Sequence, residues 1–557
     1  MNQNESKVEM ALRIALFLVL AIAFCWPLLS FRYYPLVTEQ DTNFHLCRLM
    51  SLGNVFRSPV NFSIFQMNGI MLNPFYPWQT FYPAYMLTRL FHNVAKGFWV
   101  YYILLNWLTL EISYWSVREI TQNKIKGMAF AILYTFSCYR AINGLFRFAI
   151  GEFIAMSFLP LVFWGMYEIF KGNPKRWFLL SLGMTCVMFS HVVTTFLLVC
   201  VLAILGIVFL LFGKERTKRL KVLCLAAFCS LGMNLGQITV MAYRMKQNQL
   251  NFPFKFEMVG ETPNILLKAM LKNDMSGYTV GLVVFLGMMY CLLHFTQLTS
   301  VNKLLVTLAG ISLYMCTNKF SWKLLEYTPL YFIQFPFRLN LFSTLFFIYV
   351  SVDHAFLKNN KRDKIYSKSA ISGKWWVMIC IIACLFLHTY SFSHLLQQEG
   401  YRFSKIDYRK IERVTRNTFT QDYSPKAYAD QVGRNFYEQR QATIDGKRFY
   451  PKEQMEPSHY QADFINPFQH TARVNLPIYY YAGGIARLDG QVVKLKASSR
   501  NGGIQVDSPP GHHRLTLTYP YKWYEKLSYF VSFLSLACVL FIAQYELRKS
   551  FSTKGRG

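Results

Sequence analysis

Five short stretches of this chain carry side chains that could do chemistry together. The first is Glu39-Gln40-Asp41-Thr42-Asn43-Phe44-His45-Leu46-Cys47-Arg48. If a helix starts at Thr42, then Asp41, His45 and Arg48 stand at i, i+4 and i+7 and share one face. A carboxylate, an imidazole and a guanidinium would then meet, offering a base for a hydroxyl proton and a cation for an anion such as phosphate. The second stretch holds Tyr139, Arg140, Asn143, Arg147, Gly151 and Glu152; the third is Ser190-His191; the fourth is Asn273-Asp274. The fifth is Tyr331-Phe332-Ile333-Gln334-Phe335-Pro336-Phe337-Arg338, in which Pro336 suits a first helical turn. Each stretch alone also has a plain structural account. Asp41 is a good N-cap, Arg48 suits lipid headgroups, Arg147 and Glu152 suit an i,i+5 ion pair, and a lone His at a turn is commonly a hydrogen-bonded turn residue. What decides between these accounts is whether the stretches come to one side of the molecule.

The elements that must position them follow from composition. The chain has 557 residues, 53% hydrophobic and only 16% charged, with 59 Lys+Arg against 29 Asp+Glu and a net charge of +30. The apolar residues fall in blocks of about twenty, the length a helix rising 1.5 Å per residue needs to cross about 30 Å of hydrocarbon. A soluble nucleic-acid binder would line a surface around an ordinary core with its basic residues, so no nucleic-acid partner is expected. Candidate spans cover 11–29, 99–117, 127–141, 153–170, 177–190, 194–212, 222–242, 278–294, 304–316, 339–356, 376–391 and 527–545. The expectation is a mainly α, polytopic membrane protein of about twelve transmembrane helices. The first span is followed by bulky Phe31, Tyr33 and Tyr34 where a signal peptide would have small residues, so it reads as an uncleaved anchor.

Orientation comes from the basic loops. With the N-terminus inside, Arg118 to Lys126, Lys171 to Arg176, Lys214 to Lys221, Lys358 to Lys374 and the tail from Arg548 all fall on the cytoplasmic side. Both termini are then cytoplasmic, and the loop near Lys303 fits least well. Counting the half-polar stretch Trp78 to Ala95 as a span would put the next three basic loops outside. Residues 30–98 therefore read as one long external loop with interface helices near 42–57 and 80–94. On this topology all five stretches lie outside, and a site at the outer membrane boundary is expected.

Residues 392–524 form the other large external piece. Its first half reads as polar and irregular. Its second half alternates, with turn signals at Arg487-Leu488-Asp489-Gly490 and Asn501-Gly502 and strands over Val492–Lys496, Ile504–Val506 and Leu515–Tyr519. The expected organisation is a transmembrane domain over 1–391, a small extracytoplasmic β-rich domain over 392–524, and a final helix with a basic tail over 525–557. Nearly all twelve Cys lie in or at the ends of the spans, none lies in 392–524 and no CxxC occurs, so neither a disulfide framework nor a CxxC metal site is expected.

Taken in order, Glu39 to Arg48, Asn73-Pro74-Phe75-Tyr76-Pro77, Tyr139-Arg140, Arg147-Phe148-Ala149-Ile150-Gly151-Glu152, Ser190-His191 and Phe332 to Arg338 resemble the pattern of the bacterial YfhO-like membrane proteins. The set called 6-pyruvoyl-tetrahydropterin synthase-related membrane proteins shares that pattern. The pterin label does not fit, because the adjacent His512-His513 pair does not form a zinc-binding His cluster. The resemblance implies a GT-C type glycosyltransferase that takes a sugar from a polyprenyl-phosphate carrier to a cell-envelope glycopolymer or glycolipid acceptor, at the outer face of the bacterial cytoplasmic membrane. It implies Asp41 as the catalytic base, with direct displacement and inversion. Arg147, Arg338, Arg48 and His191 are then the candidate phosphate ligands, with His45 and Gln334 beside them and Glu152 orienting Arg147. Many GT-C enzymes carry a paired acidic motif in this loop, and Glu39-Gln40-Asp41 leaves room for a divalent cation; the Arg and His neighbours favour a metal-free site. The absence of a convincing GxGxxG or P-loop agrees with a donor whose phosphate is already in the membrane.

Two other readings share about twelve spans. A transporter or flippase for lipid-linked sugars would place ionisable groups near the membrane midplane and show internal repeats, neither of which is seen. A non-catalytic envelope-assembly protein would use 392–524 as a binding module.

Overall fold

The computed structural model describes residues 5–29, 36–37, 41–253, 256–355, 373–399, 403–404, 418, 420–426, 436–499 and 501–554. The helices are α1 (Lys7–Leu29), α2 (Thr42–Ser51), α3 (Tyr82–Leu90), α4 (Val94–Thr121), α5 (Lys124–Thr135), α6 (Cys138–Ala141), α7 (Ile150–Phe170) and α8 (Phe178–Met188). They continue with α9 (Val192–Phe212), α10 (Arg216–Gln247), α11 (Pro263–Lys272), α12 (Gly281–Leu293), α13 (Ser300–Met315), α14 (Asn340–Ala355), α15 (Gly373–Glu399) and α16 (Trp523–Lys554). The turns between them carry polar caps: Asn93 accepts from Lys96 N at 3.0 Å, Asn123 from Ile125 N at 2.9 Å and Thr299 from Asn302 N at 3.2 Å.

Every segment expected to span contains a helix, but among the described residues six helices are long and apolar enough to cross a membrane: Lys7–Trp26, Ile150–Phe170, Val192–Phe212, Arg216–Gln247, Trp375–Gln398 and Trp523–Lys549. The 12 residues of α5 and the 11 of α8 rise only about 18 Å and 17 Å at 1.5 Å per residue. α4 is long, at 28 residues, but carries Asn106 and Glu111 among its apolar side chains. Large apolar side chains stay exposed on α9, α10, α15 and α16, for example Phe212, Phe228, Phe386 and Phe541, as surfaces that meet hydrocarbon do. α7 differs, since 78% of its apolar window is buried inside the protein.

Pro160 stands inside α7 and cannot donate to the carbonyl of Met156. That carbonyl accepts from the Tyr134 hydroxyl at 2.7 Å instead, so α5 supplies the bond that proline removes.

Of the two helices expected at the interface in the long first loop, α3 exposes Met86 and Leu90, whereas α2 does not present such a face. α2 is buried along most of its length, and Cys47 packs with Ile64, Phe65, Ile70 and Leu72 of the following loop. The cover comes partly from residues of the 392–524 segment.

The five-stranded sheets of that segment begin at β3 (Ala442–Ile444), earlier than its sequence suggests. β4 (Lys447–Phe449), β5 (Lys452–Glu456), β6 (His459–Asn466) and β7 (Ala472–Tyr479) follow, then β8 (Ile485–Leu488), β9 (Gln491–Val493), β10 (Lys496–Ala497), β11 (Gly503–Ser508) and β12 (Gly511–Thr518). β4 and β5 escape notice because they are sheet-edge strands rich in Lys, Arg and Glu, the composition that protects an open edge. His512 and His513 lie in β12 and not in a turn. Two further short strands, β1 (Leu36–Val37) and β2 (Phe403–Ser404), pair with each other and join the first loop to the 392–524 segment.

The two five-stranded sheets run β10-β11-β7-β3-β4 and β5-β6-β12-β8-β9. One core lies between them, with Val474, Leu476 and Val506 from one sheet and Ala462, Leu515 and Leu517 from the other. Val60, Phe62, Met71 and Phe75 of the first loop belong to the same core. Backbone bonds fasten them: Phe62 N donates to Pro457 O at 3.1 Å and Tyr479 N to Asn68 O at 2.8 Å. The sandwich and the first loop therefore form one body.

A fully buried ion pair joins α10 to the first turn of α16, and its arginine also reaches this body. Arg244, near the end of α10, donates from Nε to Glu525 Oε1 at 2.8 Å and from Nη2 to Oε2 at 2.7 Å, while its remaining donors reach the carbonyls of Ala482 and Pro520. Lysine keeps the charge but cannot make two parallel bonds. Arg244→Lys is expected to cost about 1.5–3 kcal/mol, the worth of one hydrogen bond to a charged group. A thermal unfolding midpoint unchanged from wild type would refute this.

Candidate active site

The centre of the site is Glu152, in the first turn of α7. Its Oε1 accepts from the Tyr139 hydroxyl at 2.6 Å and from Asn143 Nδ2 at 3.4 Å. Its Oε2 accepts from Arg147 Nη1 at 3.0 Å and lies 3.4 Å from Arg338 Nε. The local backbone makes this convergence possible. Residues Ile142–Phe146 form a π-helical turn, after which Arg147 N donates to Ile142 O at 2.8 Å. The wider turn brings Tyr139, Asn143 and Arg147 to one face, and π turns of this kind are frequent at functional sites. Phe148 then adopts φ 53°, reversing the chain into α7.

Arg338 arrives from a second strained turn. Gln334 has φ 65° and ψ −49°, and Phe335 N donates to Ile333 O at 2.8 Å, which makes Gln334 the centre of a γ-turn of the rare, strained hand. Arg338 Nη1 donates to the same Ile333 carbonyl at 2.6 Å. The Phe335 ring lies beneath both guanidiniums, 5.4 Å from Arg147 and 5.3 Å from Arg338. Two cations thus share one carboxylate and one aromatic ring.

His191 caps α9: its Nδ1 accepts from Thr194 N at 3.2 Å and sits 2.8 Å from the Thr194 hydroxyl. It approaches the start of α7 because residue 151 is glycine. A Cβ there would lie 2.9 Å from Ser190 O and 3.2 Å from His191 Cδ2. His191, Gln334, Arg338, Tyr76 and Tyr423 line a cavity of about 300 Å³ whose other walls are mostly apolar.

Asp41 opens α2, and its carbonyl accepts from His45 N at 2.9 Å, but its carboxylate makes no cap bond. Among the described residues that carboxylate has neither hydrogen bond nor ion pair. It is solvent-exposed yet enclosed enough that burial raises its pKa, against the lowering influence of the Arg147 and Arg338 charges. His45 is held well below the ordinary histidine range, first by burial and then by the charges of Arg48 and Arg147, so the ring is neutral at pH 7. His191 is depressed for the same reasons, with Arg338 the nearest cationic influence.

Of the residues singled out in the sequence, Asp41, His45, Arg147, Glu152, His191, Gln334 and Arg338 converge. Arg48 does not reach the cavity as a free cation. Its Nη2 donates to the Pro77 carbonyl and its guanidinium lies over Tyr76 at 4.8 Å and Phe81 at 5.3 Å, so it braces the first loop. Asn273 bonds Ser391 and Leu282 N, and Asp274 closes a turn on Ser276, both within their own corner. Glu39 lies outside the described residues. Among those described, no three His, Cys, Asp or Glu side chains gather as a metal would require. Arg140 sits one layer deeper, fully buried, and bonds Asn106, Thr109 and Ser157.

One functional candidate carried no signal in the sequence. Burial, and then the charge of Asp41, push the pKa of Asp422, in the 392–524 segment, up to about 6. Tyr76, facing both carboxylates, is pushed up to about 12 by burial and their charges.

No family model matches the chain. It is similar to an uncharacterized protein of Lactococcus lactis subsp. cremoris (strain MG1363), 26% identical over 223 residues, which is 37% of this chain and 35% of the relative. The match thus spans about a third of the relative's length.

Proposed function

We propose that this protein is a GT-C type membrane glycosyltransferase of the YfhO-like kind, with about twelve spans, cytoplasmic termini and its site at the outer face of the bacterial cytoplasmic membrane. The observation that carries the reading is the Asp41 carboxylate, unpartnered among the described residues, under the influence of Arg147 and Arg338, two guanidiniums held by Glu152, of which Arg338 lines a largely apolar cavity. In the proposed reaction Asp41 takes the proton of an acceptor hydroxyl as that oxygen bonds to the anomeric carbon of the donor sugar. The bond from that carbon to the phosphate oxygen breaks with its electron pair on the oxygen, so polyprenyl phosphate leaves as an anion. Arg147 and Arg338 stabilise the charge that develops there. Attack opposite the leaving group inverts the anomeric centre.

His45 and His191, both neutral, donate or accept hydrogen bonds without adding charge. A divalent ion at Glu39 and Asp41 fits poorly, because two guanidiniums already supply positive charge there, and no step is routed through one. The reading is tested by comparing envelope glycopolymers and glycolipids from cells with and without the protein. Loss of one sugar substituent is the expected result; identical glycan composition would overturn it.

A further inference from the structure

A second cavity, of about 420 Å³, lies toward the other end of α7 from Glu152 and is lined by residues of α4, α5, α7, α9, α13 and α14. Lys171, one residue past α7, marks its rim, about 28 Å along the helix from Glu152 at 1.5 Å per residue. The cavity is therefore distinct from the candidate active site.

Its lining is graded. Pro160, Phe163, Leu205, Leu305, Leu345 and Phe346, from the inner turns of four helices, make the depth apolar. Tyr167, Lys171, Tyr349 and Asp353 stand toward the ends of α7 and α14 and make the rim polar. The charges of that rim are not balanced. Both oxygens of the Asp353 carboxylate are taken, Oδ1 by Lys126 Nζ at 2.8 Å and Oδ2 by Asn302 Nδ2 at 2.9 Å. Lys171 has no ion pair among the described residues; its Nζ lies 5.9 Å from the centre of the Phe209 ring. Thr299 and Val301 bring the N-terminus of the 16-residue α13 to the same rim, which adds positive potential there. Ser116, 1% exposed, also lines the cavity, and its buried Oγ has no hydrogen-bond partner among the described residues.

Water suits the rim but not the apolar depth, where it would find too few hydrogen-bond partners. A hydrocarbon chain suits the depth. α9, which supplies Leu205 and Phe209 to the lining, exposes Ile204, Ile207 and Leu211 on the same turns, so the cavity borders a surface fit to meet lipid. An uncompensated lysine beside a helix N-terminus favours an anionic head over a zwitterionic one.

We propose that this cavity binds one anionic phospholipid, with an acyl chain in the apolar depth and the phosphate at Lys171 and the start of α13. With cytoplasmic termini, that lipid belongs to the inner leaflet. Such binding requires a membrane around the chain and is independent of the glycosyltransferase reading.

The test is native mass spectrometry of the full-length protein, delipidated in detergent and titrated with dioleoyl phosphatidylglycerol or dioleoyl phosphatidylcholine. The wild type should take up one phosphatidylglycerol about tenfold more tightly than phosphatidylcholine, and the bound lipid should raise the unfolding midpoint. Lys171→Gln should lower phosphatidylglycerol affinity about tenfold, to the phosphatidylcholine level. It should leave phosphatidylcholine affinity and the lipid-free unfolding midpoint unchanged, since Lys171 is exposed. Leu305→Trp, which fills the depth, should abolish uptake of both lipids. If that variant is not monodisperse, Ser116→Leu, a smaller filling, should weaken both. Equal affinity of the wild type for the two lipids overturns the proposal, as does wild-type phosphatidylglycerol affinity in Lys171→Gln. Undiminished uptake by a folded filling variant places the lipid elsewhere and also overturns it. None of these results bears on sugar transfer.

Discussion

If the protein is the proposed glycosyltransferase, Asp41→Asn is expected to lower sugar transfer about 10²–10⁴-fold, the effect of removing a general base, while the protein still inserts and accumulates. The amide is nearly isosteric with the carboxylate. It breaks no bond in the structure, because the Asp41 side chain neither caps α2 nor pairs with another described residue. Stability should therefore hardly move, and the loss should fall on kcat and not on donor KM. The check is a transfer assay on purified variant and wild type, run beside a thermal unfolding curve. Since burial raises the Asp41 pKa, wild-type kcat should fall on acidification at a higher pH than an ordinary aspartate would give. Normal envelope glycans in cells carrying only the Asn variant would sink the assignment.

Glu152→Ala is expected to destabilise the protein by about 3–5 kcal/mol, the cost of removing one partner from a buried ion pair. Glu152 is 1% exposed and is the carboxylate that both Arg147 and Arg338 approach. Without it, two guanidiniums over one phenylalanine ring repel each other in a poorly solvated place. The Tyr139 hydroxyl and Asn143 amide also lose their acceptor. The measurement is the unfolding midpoint in detergent. Adding Arg147→Met to Glu152→Ala should recover part of the loss, since it removes one of the stranded charges. A Glu152→Ala protein as stable as wild type would show that the cluster is solvated and not a shared counter-ion site.

Much of the helical layout was legible from hydropathy. A buried or lipid-facing helix needs an apolar run wherever it stands, so each of the twelve expected segments contains a helix. The lengths were less legible: α5 and α8 pack inside a larger body and do not each cover a full bilayer thickness. Hydropathy reports what a side chain avoids, and it does not tell lipid from protein. The same limit made α2 read as an interface helix when Cys47 and its neighbours are buried against the loop that follows.

The candidate site divides along the same line. Tyr139, Asn143, Arg147 and Glu152 are close in sequence, and Gln334 and Arg338 share one turn, so short-range geometry suffices to group each set. Asp422 stands in a polar stretch with no periodicity and no motif, more than three hundred residues from Asp41. The neighbouring Tyr423 and Ser424 are held by Asn251, Tyr481 and Phe75, long-range contacts that carry no sequence signal. Arg48 shows the opposite case, since a shared helix face with Asp41 and His45 suggested an anion ligand. Its guanidinium instead turns to the Pro77 carbonyl, an acceptor supplied by a loop that doubles back on α2.

The sequence by itself determined the class of protein, the helical segments and which ionisable groups are too few and too costly to be casual, because solvation of apolar runs and isolated charges depends on residue type and local spacing. The tertiary structure alone decided which of those charges meet, which is consumed as a brace and which distant carboxylate joins them. Those outcomes depend on how far a side chain reaches across two packed elements, a distance that linear order does not record.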